Sequence, residues 1–261
     1  MTRTEPRFAR GTFLPNPEAA RPAAMLAAQT RMELTLLLRN GEQLLLTMFI
    51  PIALLIGFTV LPIGDEATRI GSLVPAIMAV AVMSTAFTGQ AIAVGFDRRY
   101  GALKRLGATP LPRWGVIAGK TLAVVLVVIL QAVIIGGIGL ALDWRPDPLG
   151  LLLWAPILAL GVFAFASLGL LLGGTLKAEI VLALANLLWF VLGAIGSLVV
   201  MHAHVPDAVV LIARLAPSGA LTEALTRAAD AGTVDWFGMA VLLAWGAVGS
   251  AAAVRLFRFT G

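Results

Sequence analysis

The chain has no cysteine and few charged residues, and both shortages limit what it can be. Without cysteine there is no disulfide framework, thiolate nucleophile or cysteine-ligated metal. Charged residues are 13% of the 261 positions, about half the share of an ordinary soluble domain. Apolar residues are 59%, and the mean hydropathy is +0.95. This composition disfavours a soluble enzyme, a disordered chain and a nucleic-acid-binding protein.

Long runs without any charge are the main feature of the sequence. A bilayer core about 30 Å thick needs about 20 helical residues to cross it. The runs are continuously apolar rather than alternating, which favours helices. The spans predicted from these runs are 44–63, 70–96, 121–142, 151–176, 180–201 and 236–254. We therefore predict an all-α polytopic membrane protein with six transmembrane helices.

The distribution of basic residues predicts the orientation. If the N-terminus is inside, only four of the 19 Lys and Arg residues fall in outer segments, namely Arg69, Arg145, Arg214 and Arg227. Excess positive charge marks cytoplasmic loops, so both termini are predicted to be cytoplasmic. Residues 1–23 are predicted to be a mobile cytoplasmic tail, and 24–261 a single membrane domain.

Three polar segments lie outside the spans. Residues 24–43 suit an amphipathic helix along the inner membrane surface, either as a plain anchor or also touching a partner. Residues 97–114 are basic, contain a short helix-compatible stretch and face the cytoplasm. They are either an orientation anchor or a contact surface for another protein. Residues 202–235 predict short outer helices that dip back into the membrane or cap a pathway.

Several motifs resemble catalytic or metal sites without meeting their requirements. GVIAGKT at 115–121 has Trp114 where a phosphate-binding loop needs glycine. His202, His204 and Asp207 form a weak metal-ligand set. Ser197 has no His or Lys base in any predicted span, which disfavours a hydrolase. Charge-free spans also disfavour an ion-coupled carrier. No catalytic, cofactor-binding or metal site is therefore predicted on this chain.

Two spans carry neutral polar and aromatic residues that suit loose binding of amphipathic molecules. Met83, Phe87 and Gln90 share a face of the second span, and Asn186, Trp189 and Phe190 lie close together on the fifth. Ordinary helix packing is the alternative for each residue. Gly169 and Gly173, four residues apart, are predicted to be close-packing positions.

Three segments together resemble the membrane subunits of ABC-2-type transporters. The most specific is FDRRYGALKRLGATPLPRWGVIAGK (96–120), similar to the family's stretch after the second span. SLGLLLGGTLKAEIVLALANLLWFVLGAIGS (167–197) resembles the fourth and fifth spans with their tight inner turn. LAPSGALTEAL (215–225) is similar to the outer segment before the last span. Asp97-Arg98 stands where the family often has Glu-Arg.

The resemblance implies a fold and an activity. The fold is the ABC-2, type V exporter-like fold, and the function is that of a non-catalytic permease subunit of an ABC exporter. Two copies of an ATP-binding subunit would dock on the cytoplasmic side and bind the ATP and Mg²⁺, so this chain would need no cofactor. A second permease subunit, the same or a homologous chain, would complete the complex. The setting would be the bacterial plasma membrane, and the substrate a drug, antibiotic or lipid-like molecule.

The resemblance also assigns roles to residues. Residues 24–43 would be the connecting helix, and Gln90 and Asn186, with their neighbours, would line the cavity between two permeases. Pro217 and Glu223 belong to the implied outer cap. The implied ATPase-coupling residues are Asp97, Arg98, Arg99, Tyr100, Gly101, Leu103, Lys104, Arg105 and Leu106. The alternatives are an ion-coupled secondary transporter and a membrane-embedded assembly factor or enzyme.

Overall fold

The computed structural model describes residues 20–41, 45–60, 66–201 and 205–257. Within these ranges the regular secondary structure is helical, with no strand, which confirms the all-α prediction. Most of the predicted tail (1–19) and the histidines His202 and His204 lie outside the described residues.

The helices follow one another with short connections. The first part of the chain forms α1 (Pro22–Arg39), a π-helical segment π1 (Leu45–Phe49), α2 (Ile50–Val60), α3 (Glu66–Val82), a second π-helical segment π2 (Met83–Gly89), α4 (Gln90–Arg99) and α5 (Ala102–Leu106). The second part forms α6 (Arg113–Ala141), α7 (Pro148–Thr175), α8 (Ala178–Val200), α9 (Asp207–Leu215), α10 (Pro217–Ala231) and α11 (Trp236–Leu256).

Five helices in the described part of the chain are long and apolar enough to cross a membrane. They are Ile70–Arg99 (α3, π2 and α4 in sequence), Trp114–Ala141, Pro148–Thr175, Ala178–Val200 and Trp236–Leu256. The predicted first span appears as a shorter apolar helix, Thr47–Val60. The pair α9–α10 also meets the length and hydropathy of a span but is bent by 107°, as in a broken span or re-entrant loop.

The helices extend beyond the apolar runs at one end of the bundle. α6 begins at Arg113, whereas its span was predicted from 121, and α4 continues to Arg99 past the predicted limit of 96. Helical hydrogen bonding continues where hydropathy falls, because the backbone pattern does not depend on apolar side chains. We call this the basic end, defined by Arg98, Arg99, Lys104, Arg105, Lys120, Lys177 and Arg255.

Glycines allow the central helices to approach closely. A Cβ atom on Gly169 of α7 would lie 2.8 Å from the backbone oxygen of Phe87, and one on Gly173 would lie 2.4 Å from that of Ala91. Both positions are therefore close-packing sites, as their spacing predicts. π2 and α4 are consequently held directly against the backbone of α7.

The short helix α10 is among the most buried elements of the bundle. It packs against α3, α7, α8 and α11, and its buried residues include Leu221 and Leu225. It runs beside α7, where a Cβ on Gly150 would overlap the backbone of Ala228. The side chain of Trp154 on α7 donates from Nε1 to the Leu225 backbone oxygen at 3.1 Å. Residues 217–231 are thus part of the core.

Candidate functional site

The turn between α4 and α5 is fixed by backbone geometry and one apolar anchor. Gly101 has φ +71°, a left-handed conformation that residues with a Cβ adopt at a cost. Leu103, 2% exposed, lies in a small apolar cluster with Val94, Val116 and Leu170. This anchor fastens α5 to α4, α6 and α7.

Two side chains of α5, together with Tyr100 in the turn before it, form an exposed basic surface at the basic end. Lys104 and Arg105 are exposed, and Tyr100 is 65% exposed. Arg105 donates from Nη2 to the Tyr100 backbone oxygen at 3.1 Å, which orients its guanidinium. Leu106 packs partly buried beside the Leu103 cluster. We call Tyr100, Lys104 and Arg105 the α5 surface.

Two arginines join α4 to the neighbouring helix ends. Arg98 is buried and donates from Nη1 to the backbone oxygens of Gly173 (2.9 Å) and Leu176 (3.0 Å), where α7 ends. Terminal carbonyls of a helix lack intrahelical partners, so this contact satisfies them. Arg99 forms an exposed ion pair with Glu179 of α8. The end of α4 is thereby tied to both sides of the α7–α8 turn.

A buried ionic triad connects α1, α4 and α6. Lys120 of α6 donates from Nζ to Glu33 Oε2 at 2.9 Å and to Asp97 Oδ2 at 2.6 Å. The side chains of Lys120 and Glu33 are each 8% exposed, and Asp97 is 34% exposed. Gln29 donates from Nε2 to Glu33 Oε1 at 2.7 Å. The triad therefore links the predicted connecting helix directly to the start of the predicted coupling segment.

Neither Glu33 nor Lys120 has a role predicted from the sequence. Lys120 lies 87 positions from Glu33 and 23 from Asp97, so no local pattern indicates the contact. The available signal was a lysine at the very start of a long apolar run, where an unpaired charge would be costly.

The predicted pathway residues of the second span are buried within the subunit. Met83, Phe87 and Gln90 are 1%, 3% and 4% exposed. Met83 and Phe87 belong to π2 and to the main apolar core. In this conformation they face neighbouring helices.

The predicted pathway residues of α8 lie nearer the surface. Phe190 is 68% exposed, and Asn186 is exposed and donates from Nδ2 to the Leu182 backbone oxygen at 2.9 Å. Trp189 is half-buried, packs edge-on against Phe190 and donates from Nε1 to Ser84 Oγ in π2 at 2.8 Å. Trp189 is therefore the contact that joins the two predicted groups.

The predicted cap residues belong to α10. Pro217 is buried at its first position, and Glu223 accepts a hydrogen bond from Arg227 Nε at 2.5 Å. Close by, Arg214 of α9 donates from Nη2 to both carboxylate oxygens of Asp235, at 2.8 and 2.9 Å. Both side chains of this pair are largely buried, so it ties α9 to the start of α11.

An open apolar groove lies elsewhere, among α6, α7 and α11. Its volume is about 490 Å³, and Trp114, Phe163, Ser250 and Phe257 are among its lining residues. Neither the residues predicted to form the pathway nor those predicted to couple to an ATPase belong to it.

A helical bundle with several membrane-spanning helices and anchored polar segments at its ends defines a multi-pass membrane protein. The sequence model of one family, described as ABC-2 family transporter protein, matches residues 42–256. The chain belongs to this family and is thus a membrane subunit of the ABC transporter class. No curated protein sequence matches the chain significantly.

Proposed function

We propose that the chain is the permease subunit of an ABC exporter and moves an amphipathic molecule, such as a drug, antibiotic or lipid, out of a bacterial cell. The α5 surface is the observation that carries this proposal. Exposed Lys104 and Arg105 lie on a short helix, beside Tyr100 in the turn before it, and the only buried side chain of that helix anchors it to three spans. A rigid contact surface of this kind suits force transfer from a docked protein.

The basic end is proposed to face the cytoplasm, with both termini on that side. Its arginines and lysines follow the positive-inside pattern. Two ATP-binding subunits would dock there, contact the α5 surface and bind ATP and Mg²⁺. Arg98 and Lys120 would then transmit the displacement of α5 to α7, α6 and α1, since both are buried and bonded to those helices. The chain itself performs no covalent chemistry in this proposal.

A second permease is proposed to pack against α8. Only 17% of the most apolar window of this helix is buried, the lowest share among the five long spans described. Asn186 exposes a side-chain amide in an apolar helix, and Phe190 extends beside it. Amides in a membrane favour interfaces between helices, where their remaining hydrogen bonds can be made. The substrate would pass between the two subunits, and the α9–α10 pair would close the outer side.

A charge-reversal experiment tests the ATPase contact. The complex is purified through this chain, and ATP hydrolysis is measured for the wild type and for Lys104→Glu/Arg105→Glu. We expect the double variant to insert normally but to lose about tenfold or more of the stimulated hydrolysis, because close charge pairs at interfaces contribute several kcal/mol.

The matched control is Lys177→Glu/Arg255→Glu, which makes the same change in charge at exposed positions of the basic end outside α1 and α5. We expect this control to retain most of the stimulated hydrolysis. Equal losses in both double variants would contradict a specific role for the α5 surface. Transport by the isolated chain in vesicles with an ion gradient and no ATPase would contradict the whole proposal.

A further inference from the structure

The second span changes its helical register in its middle. π2 covers seven residues, Met83–Gly89, between the α-helical segments α3 and α4. A π-helix is wider than an α-helix, is rare, and occurs often at functional sites. It amounts to an extra residue inserted into an α-helix, so surrounding contacts must hold it in place.

A single side chain joins the two π-helical segments found in the described residues. Gln131 of α6 is 0% exposed and donates from Nε2 to Thr85 Oγ1 of π2 at 2.8 Å. The same amide donates to the Thr47 backbone oxygen of π1 at 2.9 Å. A second clamp is the bond from Trp189 Nε1 of α8 to Ser84 Oγ. π2 is therefore held by side chains from two different helices.

Thr88 near the end of π2 and Gln90 at the start of α4 have polar atoms that this register does not satisfy. Thr88 Oγ1 and both polar atoms of the Gln90 side chain are buried and have no hydrogen-bond partner in the described part of the protein. A helical serine or threonine hydroxyl can donate to the carbonyl four residues earlier, and at the start of π2 Ser84 does so with the Val80 backbone oxygen at 2.9 Å. A buried unsatisfied polar group costs about 1–3 kcal/mol. The observed register therefore carries an energetic cost at Thr88 and Gln90.

We propose that π2 is a hinge of the transport pathway and that Gln131 is the positioning residue that holds it in its observed register. The proposal rests on the proposed function, because movement of α4 and α5 is what shifts the hinge. A π-helical turn that migrates along a helix rotates only the residues that it passes. Thr88 and Gln90 then turn to another face, while α3, which precedes the hinge, keeps its neighbours.

Hydrogen–deuterium exchange of the full chain in lipid nanodiscs tests the hinge without any ATPase. We expect the amides of residues 84–90 to exchange about tenfold faster than those of 74–81, because opening a clamped π-turn breaks fewer and weaker contacts. Gln131→Met should accelerate exchange in 84–90 about tenfold further, because the hydrogen bonds of Gln131 to Thr85 Oγ1 and to the Thr47 backbone oxygen are both lost. Equal protection of the two wild-type segments would overturn the proposal.

The matched control for this measurement is Trp154→Phe, which also loses a buried side-chain bond to a backbone oxygen, that of Leu225. We expect it to leave exchange in 84–90 unchanged. If it accelerates that segment as much as Gln131→Met does, Gln131 has only a general stabilising role, and the proposal fails.

Single-residue deletions give a second test, in the complex with its ATPase. Deleting Ala86 removes the extra residue and converts π2 to an α-helix, so we expect normal folding and assembly but a loss of stimulated ATP hydrolysis. Deleting Ala79, in regular α-helix, rotates everything after it by about 100° and should prevent folding. Full stimulated hydrolysis by the variant that lacks Ala86, or failure of both deletion variants to fold, would overturn the proposal that π2 is a hinge. Absence of any ATPase in the wild-type preparation would refute the proposed function and leave the exchange result intact.

Discussion

At the scale of single residues, Lys120 is a buried charged group whose stability depends on two ion pairs. One ammonium pairs with two carboxylates at the junction of three helices, and Glu33 has almost no access to solvent. Removing one partner of a buried ion pair is far more costly than the pair is stabilising, because the other partner keeps an uncompensated charge.

Lys120→Met is accordingly expected to lower the free energy of unfolding by about 3–5 kcal/mol. Thermal unfolding of the purified protein in detergent measures the effect. Lys104→Met makes the same chemical change at an exposed position and should stay within about 0.5 kcal/mol of the wild type. Similar losses for the two variants would show that Lys120 is not held as the structure describes.

At the scale of the element, α5 has only five residues and cannot be stable alone. Its position depends on the left-handed Gly101 and on Leu103, while its outward side chains make no such anchoring contacts. The geometry of the α5 surface is therefore set by a residue that is not part of that surface.

Leu103→Ala removes the side chain that anchors α5 but leaves the charge of the α5 surface unchanged, since Lys104 and Arg105 remain. We expect it to cost about 2–5 kcal/mol of local stability, as for other buried leucines, and to reduce stimulated ATP hydrolysis several-fold. Exchange of the amides of 102–107 should rise in parallel. Leu126→Ala, at a position 44% exposed on α6, is the control and should change neither the stimulated ATP hydrolysis nor the exchange of the amides of 102–107. Normal hydrolysis with a detached α5 would contradict the proposed force transfer.

The elements differ in how well the sequence predicts them. α8 and α11 begin within two residues of the predicted spans, 180–201 and 236–254, because continuous apolar runs of that length have few other structures. The start of α6 was placed eight residues too late, because hydropathy does not report where helical hydrogen bonding begins. π2 and the contacts of Gln131 have no sequence signal at all, since the apolar pattern is the same for either register.

At the scale of the whole molecule, the exposed apolar faces differ in character. From Leu122 to Leu140 the large side chains that α6 exposes are all aliphatic, such as Leu126 and Val133, which suits contact with lipid tails. α8 exposes Asn186 and Phe190 within a similar apolar stretch. This difference is the basis for placing a second permease against α8.

Phe190→Ser is expected to weaken dimerisation at least about tenfold, because buried aromatic residues carry much of the affinity of interfaces. The mass of the purified protein in a mild detergent, measured over a range of concentrations, reports the effect. Val133→Ser on α6 is the control, as Val133 is 67% exposed and Phe190 68%. Dissociation caused by Val133→Ser but not by Phe190→Ser would move the interface to α6.

The position of α10 has a consequence for biosynthesis. It is among the last helices to leave the ribosome, yet it lies between α3, α7 and α8, which are made earlier. Until α10 is synthesised, the helices made before it therefore have an unfilled gap between them. A chain that ends before residue 217 would keep that gap and expose it to quality-control proteases. Degradation of truncated chains, and its relief once translation reaches residue 231, would mark the moment at which the bundle closes.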